Sequence, residues 1–181
     1  MYAVLYIHGK GGSAAESEHY KSLFPNCEVV GLDYQTFTPW ETGKEIFDAV
    51  MELKDKQESI ILIANSIGAY FSMSAGIDGM IQKAFFISPV VDMEKLNGYE
   101  LSGEWLRYVE SHPVKWSVPT CILYGNKDEL VPFDSISDFA KTHHAPLTVM
   151  DGGEHWFHTE EQLRFLDDWI RKNRKNEKSK Q

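Results

Sequence analysis

The sequence predicts an α/β protein in which helices cover both faces of a mostly parallel six-stranded sheet, a three-layer αβα sandwich. Short apolar runs alternate with longer amphipathic stretches along the chain, and several runs are apolar without alternation, as in parallel strands covered on both faces. The 181 residues, 43% of them hydrophobic, correspond to about one domain. We therefore expect a single domain over residues 1–172 and a basic tail over 173–181.

Six segments have the composition and length of strands. They are Tyr2–Ile7, Glu28–Leu32, Ile60–Ala64, Lys83–Ile87, Thr120–Tyr124 and Leu147–Met150. The crossovers between parallel strands should be right-handed. The longest stretch without a strand signal is 89–118, and we expect it to be a short insertion with room for one helix.

Two helices are predicted from their N-terminal signals. Thr38-Pro39-Trp40-Glu41 and Thr159-Glu160-Glu161-Gln162 both have the spacing of a capping box. Apolar residues follow at helical spacing: Ile46, Phe47, Val50 and Leu53 in the first helix, and Leu163, Leu166, Trp169 and Ile170 in the second. The basic residues that follow Ile170 suit the C-terminal end of a helix dipole, which accounts for most of the tail's charge.

The charge distribution excludes several classes of function. The whole chain carries a net charge of −9, and residues 1–170 alone carry −14. A nucleic-acid-binding protein needs a basic face, so nucleic acid is not an expected partner. The apolar stretches, such as 60–64, are too short to cross a bilayer, and no basic leader precedes the first strand. We therefore expect a cytoplasmic protein without a membrane partner; the sequence does not indicate its oligomeric state.

The third strand is followed by Ala64-Asn65-Ser66-Ile67-Gly68, which is the G-x-S-x-G nucleophile-elbow pattern with Ala in its first position. In such an elbow the serine lies on a tight strand-to-helix turn, and the residues two before and two after it must be small. The following amide, from Ile67, can face an oxyanion. The alternative is that Ser66 merely caps the helix.

The first strand ends in a glycine-rich loop, His8-Gly9-Lys10-Gly11-Gly12. In an elbow enzyme this loop supplies the second oxyanion amide, for which we expect Lys10. We expect His8 to hold the loop rather than to act as a base. The same loop also fits a dinucleotide fingerprint, Gly9-x-Gly11-x-x-Ala14 with Asp33 about twenty residues on. A dinucleotide-dependent oxidoreductase is therefore an alternative.

A nucleophilic serine needs a base and an orienting carboxylate, and both follow later strands. Asp128 lies in the loop after the fifth strand, and His155 lies in a glycine-rich loop after the sixth. The chain order Ser66, Asp128, His155 is the order found in elbow hydrolases. Asp92 is an alternative acid and His158 an alternative base. A metal site at Glu154, His155 and His158 is not expected, because no H-x-x-x-H or H-x-H pair with a third ligand supports it.

These motifs together resemble those of small, lidless serine hydrolases with the α/β-hydrolase fold. The matching residues span nearly the whole chain in the family's order: His8 to Gly12, Ala64 to Gly68, Gly125 to Asp128 with Pro132, and Gly153 to His155. Two departures are evident. Ala64 stands where the family usually has Gly. Asn65 stands directly before the serine, where His is commoner, and we expect this difference to alter the wall of the substrate pocket.

The resemblance implies a minimal α/β-hydrolase fold that lacks the first two antiparallel strands. It also implies a nucleophile at Ser66, an acid at Asp128, a base at His155, and oxyanion amides at Lys10 and Ile67. The implied reaction is cleavage of a small carboxylic ester or thioester through an acyl-enzyme on Ser66, with no cofactor and with a small-molecule acyl substrate. A catalytically silent protein-interaction module of the same fold is the alternative.

Aromatic residues near these loops are candidates for the substrate pocket. The expected pocket residues are Asn65, Phe37, Trp40, Trp105 and Trp156. The aromatic residues of 89–118, which include Trp105, fit ordinary core packing equally well. About thirty residues in that segment are too few for a substantial lid, so we expect an open, shallow site.

Overall fold

The computed structural model describes residues 2–57 and 59–175. Six strands form one sheet in the order β2-β1-β3-β4-β5-β6, and each neighbouring pair is parallel. The strands are β1 Tyr2–Ile7, β2 Glu28–Leu32, β3 Ser59–Asn65, β4 Ile81–Ile87, β5 Thr120–Gly125 and β6 Leu147–Met150. The predicted fold class is confirmed, and the sheet of the described residues is wholly rather than mostly parallel.

In the described part of the chain, five α-helices connect consecutive strands and a sixth follows β6. They are α1 Glu18–Lys21, α2 Pro39–Lys56, α3 Ile67–Ser74, α4 Gly103–Ser111, α5 Phe133–Thr142 and α6 Glu160–Lys175. Both predicted capping boxes start helices: Thr38 Oγ1 accepts from the amide of Glu41 at 3.4 Å, and Thr159 Oγ1 accepts from the amide of Gln162 at 3.2 Å. Short 3-10 turns at Ala14–Ser17 and Asp78–Met80 complete the structure.

The core has two halves, one on each face of the sheet. Alternate residues of a strand point to opposite faces, so Leu5 packs into the half that contains Ile46 of α2 and Ile136 of α5. Its neighbour Tyr6 packs into the other half, with Trp169 of α6. Because both faces are covered, β1, β3 and β5 are apolar along most of their length, and this explains why their sequences do not alternate.

The segment 89–118, which we predicted to be a short insertion with room for one helix, contains α4 and no strand. Helix α4 begins after Ser102, whose hydroxyl accepts from the amide of Trp105 at 3.3 Å. The predicted basic tail overlaps α6 at residues 173–175, and residues 176–181 lie outside the described residues. Within residues 2–57 and 59–175, no helix is long and apolar enough to cross a membrane.

Gly68 brings α3 against the end of β1. A Cβ built at Gly68 would lie 2.6 Å from the carbonyl oxygen of His8 and 2.7 Å from that of Ile7. Both neighbours are backbone atoms and cannot rotate away. The elbow therefore needs a glycine here because of the adjacent strand.

Replacing Gly68 by Ala should lower the free energy of unfolding by about 1–3 kcal/mol, since the helix and the strand would have to separate. Urea unfolding followed by circular dichroism measures this change. The matched control is Gly79→Ala, because a Cβ at Gly79 meets nothing within 4 Å. Equal stability of the two variants would contradict the close packing.

Candidate active site

Ser66 occupies the turn between β3 and α3, with φ 54° and ψ −125°. A serine rarely adopts this region, which costs on the order of 1–3 kcal/mol unless the surroundings impose it. Here the end of β4 imposes it: the Ser66 amide donates to the carbonyl of Ile87 at 3.0 Å, and the Ser66 carbonyl accepts from the amide of Val90 at 3.0 Å. The structure thus has the strained turn that the elbow pattern predicts.

A hydrogen-bond chain joins Ser66, His155 and Asp128. The Ser66 Oγ lies 2.8 Å from His155 Nε2, and His155 Nδ1 lies 2.7 Å from Asp128 Oδ2. The Asp128 side chain is fully buried, whereas 23% of the His155 side chain is exposed. The second oxygen, Oδ1, accepts from the amides of Leu130 and Val131, both at 2.9 Å. An ionised carboxylate only accepts hydrogen bonds, so it favours the His155 tautomer with hydrogen on Nδ1.

The loops that carry Asp128 and His155 are bound to each other. The side chain of Asn126 donates to Asp151 at 2.6 Å and accepts from the amide of Gly152 at 2.8 Å. Gly125 and Gly153 touch through their backbones, since a Cβ at Gly125 would lie 2.3 Å from the carbonyl of Gly153. These contacts fix the distance between acid and base across two separate loops.

His8 holds the glycine-rich loop against the nucleophile. Its buried ring stacks on Tyr34 with centroids 4.2 Å apart, and Nδ1 lies 2.7 Å from the carbonyl oxygen of Gly9. The Tyr34 hydroxyl donates to the His8 carbonyl at 2.8 Å. A Cβ at Gly9 would lie 3.0 Å from the Cβ of Ser66, so the loop backbone passes directly beside the serine.

The amides of Lys10 and Ile67 are the predicted oxyanion donors. Neither has a hydrogen-bond acceptor within residues 2–57 and 59–175, so both are available to a ligand. Lys10 lines the cavity beside Ser66, whereas Ile67 is not among its lining residues. Their role as a pair stays a prediction.

Ser66 opens into a cavity of about 490 Å³. The cavity is lined by Gly9, Lys10, Gly11, Gly12, Glu16, Asn65, Ser66, Leu130, His155 and Trp156. The predicted pocket residues Asn65 and Trp156 are in this lining. Phe37, Trp40 and Trp105 are not among the residues that line this cavity, and their place in the substrate pocket stays a prediction.

Solved structures resemble this chain over almost its whole length. ClbQ from the colibactin NRPS/PKS pathway has a TM-score of 0.72 at 11% identity, with 97% of each chain covered. Esterase 2 of Thermogutta terrifontis has a TM-score of 0.70 at 17% identity, covering 93% of this chain and 81% of that one. The chain has the α/β-hydrolase fold.

A third structure of this fold, from Xanthomonas campestris pv. campestris and described as a hydrolase of the alpha/beta superfamily, has a TM-score of 0.68 at 15% identity. It covers 97% of this chain and 98% of that one, so the two have nearly the same length. No protein-family model and no curated protein matches the sequence.

In this α/β-hydrolase fold, the three aromatic residues outside the cavity pack against other aromatic rings, with Trp105 buried and Phe37 41% exposed. Trp40 and Trp105 have ring centroids 6.0 Å apart, and Trp105 also packs on Phe71 of α3 at 6.2 Å. Phe37 meets the same Phe71 at 6.2 Å. These contacts link α2, α3 and α4, and the buried Trp105 fits the core-packing alternative given for 89–118.

The alternative acid and base lie elsewhere. Asp92 accepts from the amide of Glu94 at 3.0 Å and lies 3.4 Å from the ammonium of Lys95, so it closes its own turn. The ring of His158 stacks on Trp156 with centroids 4.4 Å apart, and its Nδ1 lies 2.7 Å from the carbonyl oxygen of Trp156. Neither side chain is part of the hydrogen-bond chain to Ser66.

The geometry does not favour the dinucleotide alternative. Asp33 accepts from the amide of Ala14 at 2.6 Å, although a pyrophosphate would need free amides at that helix start. The glycine-rich loop leads into a 3-10 turn and the four-residue helix α1, not into a long helix with a substantial dipole. The fingerprint matches in spacing but not in structure.

Sequence reasoning missed Glu16, which lines the cavity beside Ser66. Its carboxylate accepts from the hydroxyl of Tyr6 and, at 3.3 Å, from the amide of Ser13. The pKa of Tyr6 is raised mainly because its side chain is buried, and also because Tyr20 and Glu16 lie nearby. Its hydroxyl therefore stays protonated and donates the hydrogen bond. The signal was present in the sequence: Ser13-Ala14-Ala15-Glu16 has the spacing of a capping box directly after the glycine-rich loop.

Proposed function

We propose that this protein is a serine hydrolase that cleaves a small carboxylic ester or thioester through an acyl-enzyme on Ser66. The observation that carries the proposal is the hydrogen-bond chain from Ser66 Oγ through His155 to the buried Asp128, with distances of 2.8 and 2.7 Å. Ser66 lies on a strained turn and borders a cavity. This combination fits nucleophilic catalysis better than a helix cap, which needs neither a base nor a buried acid.

In the first half of the reaction, the Ser66 hydroxyl attacks the carbonyl carbon while His155 Nε2 takes its proton. Asp128 accepts a hydrogen bond from Nδ1 and thereby stabilises the imidazolium that forms. The amides of Lys10 and Ile67 would donate to the oxyanion. The tetrahedral intermediate then collapses, the bond to the leaving oxygen or sulfur breaks, and His155 returns the proton to the leaving group.

In the second half, His155 takes a proton from water as the water attacks the acyl-serine ester. Collapse of the second intermediate releases the carboxylic acid and restores the Ser66 hydroxyl with the proton held by His155. Each step uses groups of this chain and water alone, so the mechanism requires no cofactor.

A fluorophosphonate probe tests the proposal directly, because it forms a covalent bond with an activated serine. The structure of Thermogutta terrifontis esterase 2 phosphorylated by paraoxon gives a precedent for organophosphorus chemistry in a protein of this fold. We expect wild type to be labelled and Ser66→Ala to remain unlabelled, as measured by gel fluorescence and intact mass.

Ser74→Ala is the matched control for this labelling. Ser74 lies on the same helix, and its hydroxyl donates to the carbonyl of Tyr70 at 2.9 Å rather than facing a base. This variant should be labelled like wild type. Equal labelling of Ser66→Ala and wild type would contradict the proposal. A wild-type protein that reacts with neither the probe nor acyl esters would favour the interaction-module alternative.

A further inference from the structure

A second cavity of about 240 Å³ adjoins the cavity at Ser66. The two share three lining residues, Glu16, Asn65 and Trp156. The other residues around the second cavity are Tyr6, His19, Tyr20, Ile87, Phe157, His158, Leu163 and Leu166. Because three residues line both cavities, the two are adjacent, and one arm of a substrate attached at Ser66 would extend into the second cavity.

The wall of the second cavity combines aromatic rings with hydrogen-bond acceptors. Four of its residues are aromatic, namely Tyr6, Tyr20, Trp156 and Phe157. Glu16 contributes a carboxylate to this wall, and the buried Oδ1 of Asn65 has no hydrogen-bond partner within residues 2–57 and 59–175. Aromatic faces together with a carboxylate are the groups that bind an ammonium ion in proteins.

The histidines near this cavity are paired with acids. No Lys or Arg is found among the described residues that line it. His19 Nε2 lies 2.7 Å from Asp167, and His158 Nδ1 lies 3.7 Å from Glu154. Lys10 borders only the Ser66 cavity, where its ammonium lies 5.7 Å from the centre of the Tyr99 ring. The surroundings therefore favour a cation over an anion.

The position of the second cavity indicates which arm of the substrate enters it. In the proposed mechanism His155 returns a proton to the leaving oxygen or sulfur, so the leaving group must lie against its ring. Trp156 and Phe157, which follow His155 directly in the chain, line the second cavity. The leaving arm, rather than the acyl arm, is thus the one directed there. Trp156 is 66% exposed, and the face of its ring that does not stack on His158 is available to that arm.

We propose that the second cavity is an ammonium subsite, and that the preferred substrates are esters or thioesters whose leaving arm carries a cationic amine. This inference rests on the proposed serine hydrolase activity and names its substrate class. Glu16 and Trp156 would contact the ammonium group, and Tyr6 positions Glu16 through its hydroxyl.

The test compares two thioesters that differ in charge but hardly in shape, acetylthiocholine and S-(3,3-dimethylbutyl) thioacetate. Both release a thiol that a chromogenic disulfide detects. In wild type, kcat/KM for the cationic thioester should exceed that for the neutral one by about tenfold, from the cation–π and charge contributions. In Glu16→Gln, which keeps the shape and an acceptor for Tyr6, this ratio should fall towards one.

The matched control is Glu18→Gln, which removes the same charge two residues away. Glu18 is exposed, pairs with Lys21 at 2.6 Å and lines neither cavity, so the ratio should stay at the wild-type value. A wild-type ratio of one or less, or an unchanged ratio in Glu16→Gln, overturns the subsite. If the neutral thioester is still hydrolysed in that case, the ammonium subsite is wrong and the proposed serine hydrolase function stands.

Binding of choline to Ser66→Ala provides a readout that does not depend on turnover. Tryptophan fluorescence should change on titration because Trp156 borders the subsite, and a second Glu16→Gln substitution should weaken the affinity about tenfold. Absence of choline binding, or equal affinity in both variants, contradicts the subsite even if neither thioester is hydrolysed.

Discussion

Replacing His155 by Ala should lower kcat/KM for an acyl ester by on the order of 10⁴-fold or more, the scale on which loss of a catalytic base acts. The reason is geometric. Its Nε2, 2.8 Å from Ser66 Oγ, is the base placed to take the serine proton, and the same nitrogen must later protonate the leaving group. Steady-state hydrolysis of a p-nitrophenyl ester measures the loss.

Two other histidine variants make this prediction specific. His112→Ala should retain wild-type kcat/KM, because His112 stacks on Tyr108 at the end of α4, away from the cavity at Ser66. His158→Ala should lose no more than about tenfold, a loss of packing against Trp156 rather than of the base. If His158→Ala were the inactive variant and His155→Ala remained active, the assignment of the base would be wrong.

Replacing Asp128 by Asn should lower kcat by about 10⁴-fold with little change in stability. The side-chain carbonyl of Asn can still accept from the amides of Leu130 and Val131, so the turn survives. Its NH₂ group would then face His155 Nδ1 and force the hydrogen onto Nε2. A protonated Nε2 cannot accept the proton of Ser66. Parallel measurements of kcat and of urea unfolding separate the two effects.

Asp128→Ala should lose stability as well as activity, since it leaves two amides without their buried acceptor at about 1–3 kcal/mol each. Asp92→Asn is the control for the alternative acid and should keep kcat, because Asp92 contacts the amide of Glu94 and the ammonium of Lys95. Loss of activity in Asp92→Asn, with activity kept in Asp128→Asn, would reverse the assignment of the acid.

The strands and the capped helices were predictable because their signals are local. Apolar runs of four to six residues marked all six strands, although β4 begins at Ile81, two residues before its predicted start, and β3 gains one residue at each end. The shortfall at β4 has a physical cause: Gln82 and Lys83 interrupt the apolar run but lie where the strand is only partly covered. The apolar pattern of a sequence reflects burial, so it does not mark a strand end that is partly exposed.

Of the five expected pocket residues, Asn65 and Trp156 line the cavity at Ser66. Asn65 and Trp156 adjoin Ser66 and His155 in the chain, so they had to lie near the cavity. Trp40 and Trp105 are distant in sequence, and aromatic character alone does not distinguish a pocket wall from a helix interface. Their rings face each other at 6.0 Å because α2 and α4 pack on the same side of the sheet.

The sequence by itself was enough to predict the parallel sheet and the need for a small residue at position 68. It also predicted the order in which the serine, the acid and the base follow their strands. These depend on periodicity and on sterics within a few residues. Only the tertiary structure decided that Ser66 and His155, 89 residues apart, come within 2.8 Å, and that Glu16 borders two adjoining cavities. The physical reason is that the distance between side chains on different loops depends on how those loops pack together. Here that packing is the contact of Gly125 with Gly153 and the hydrogen bonds of Asn126, neither of which has a local signal.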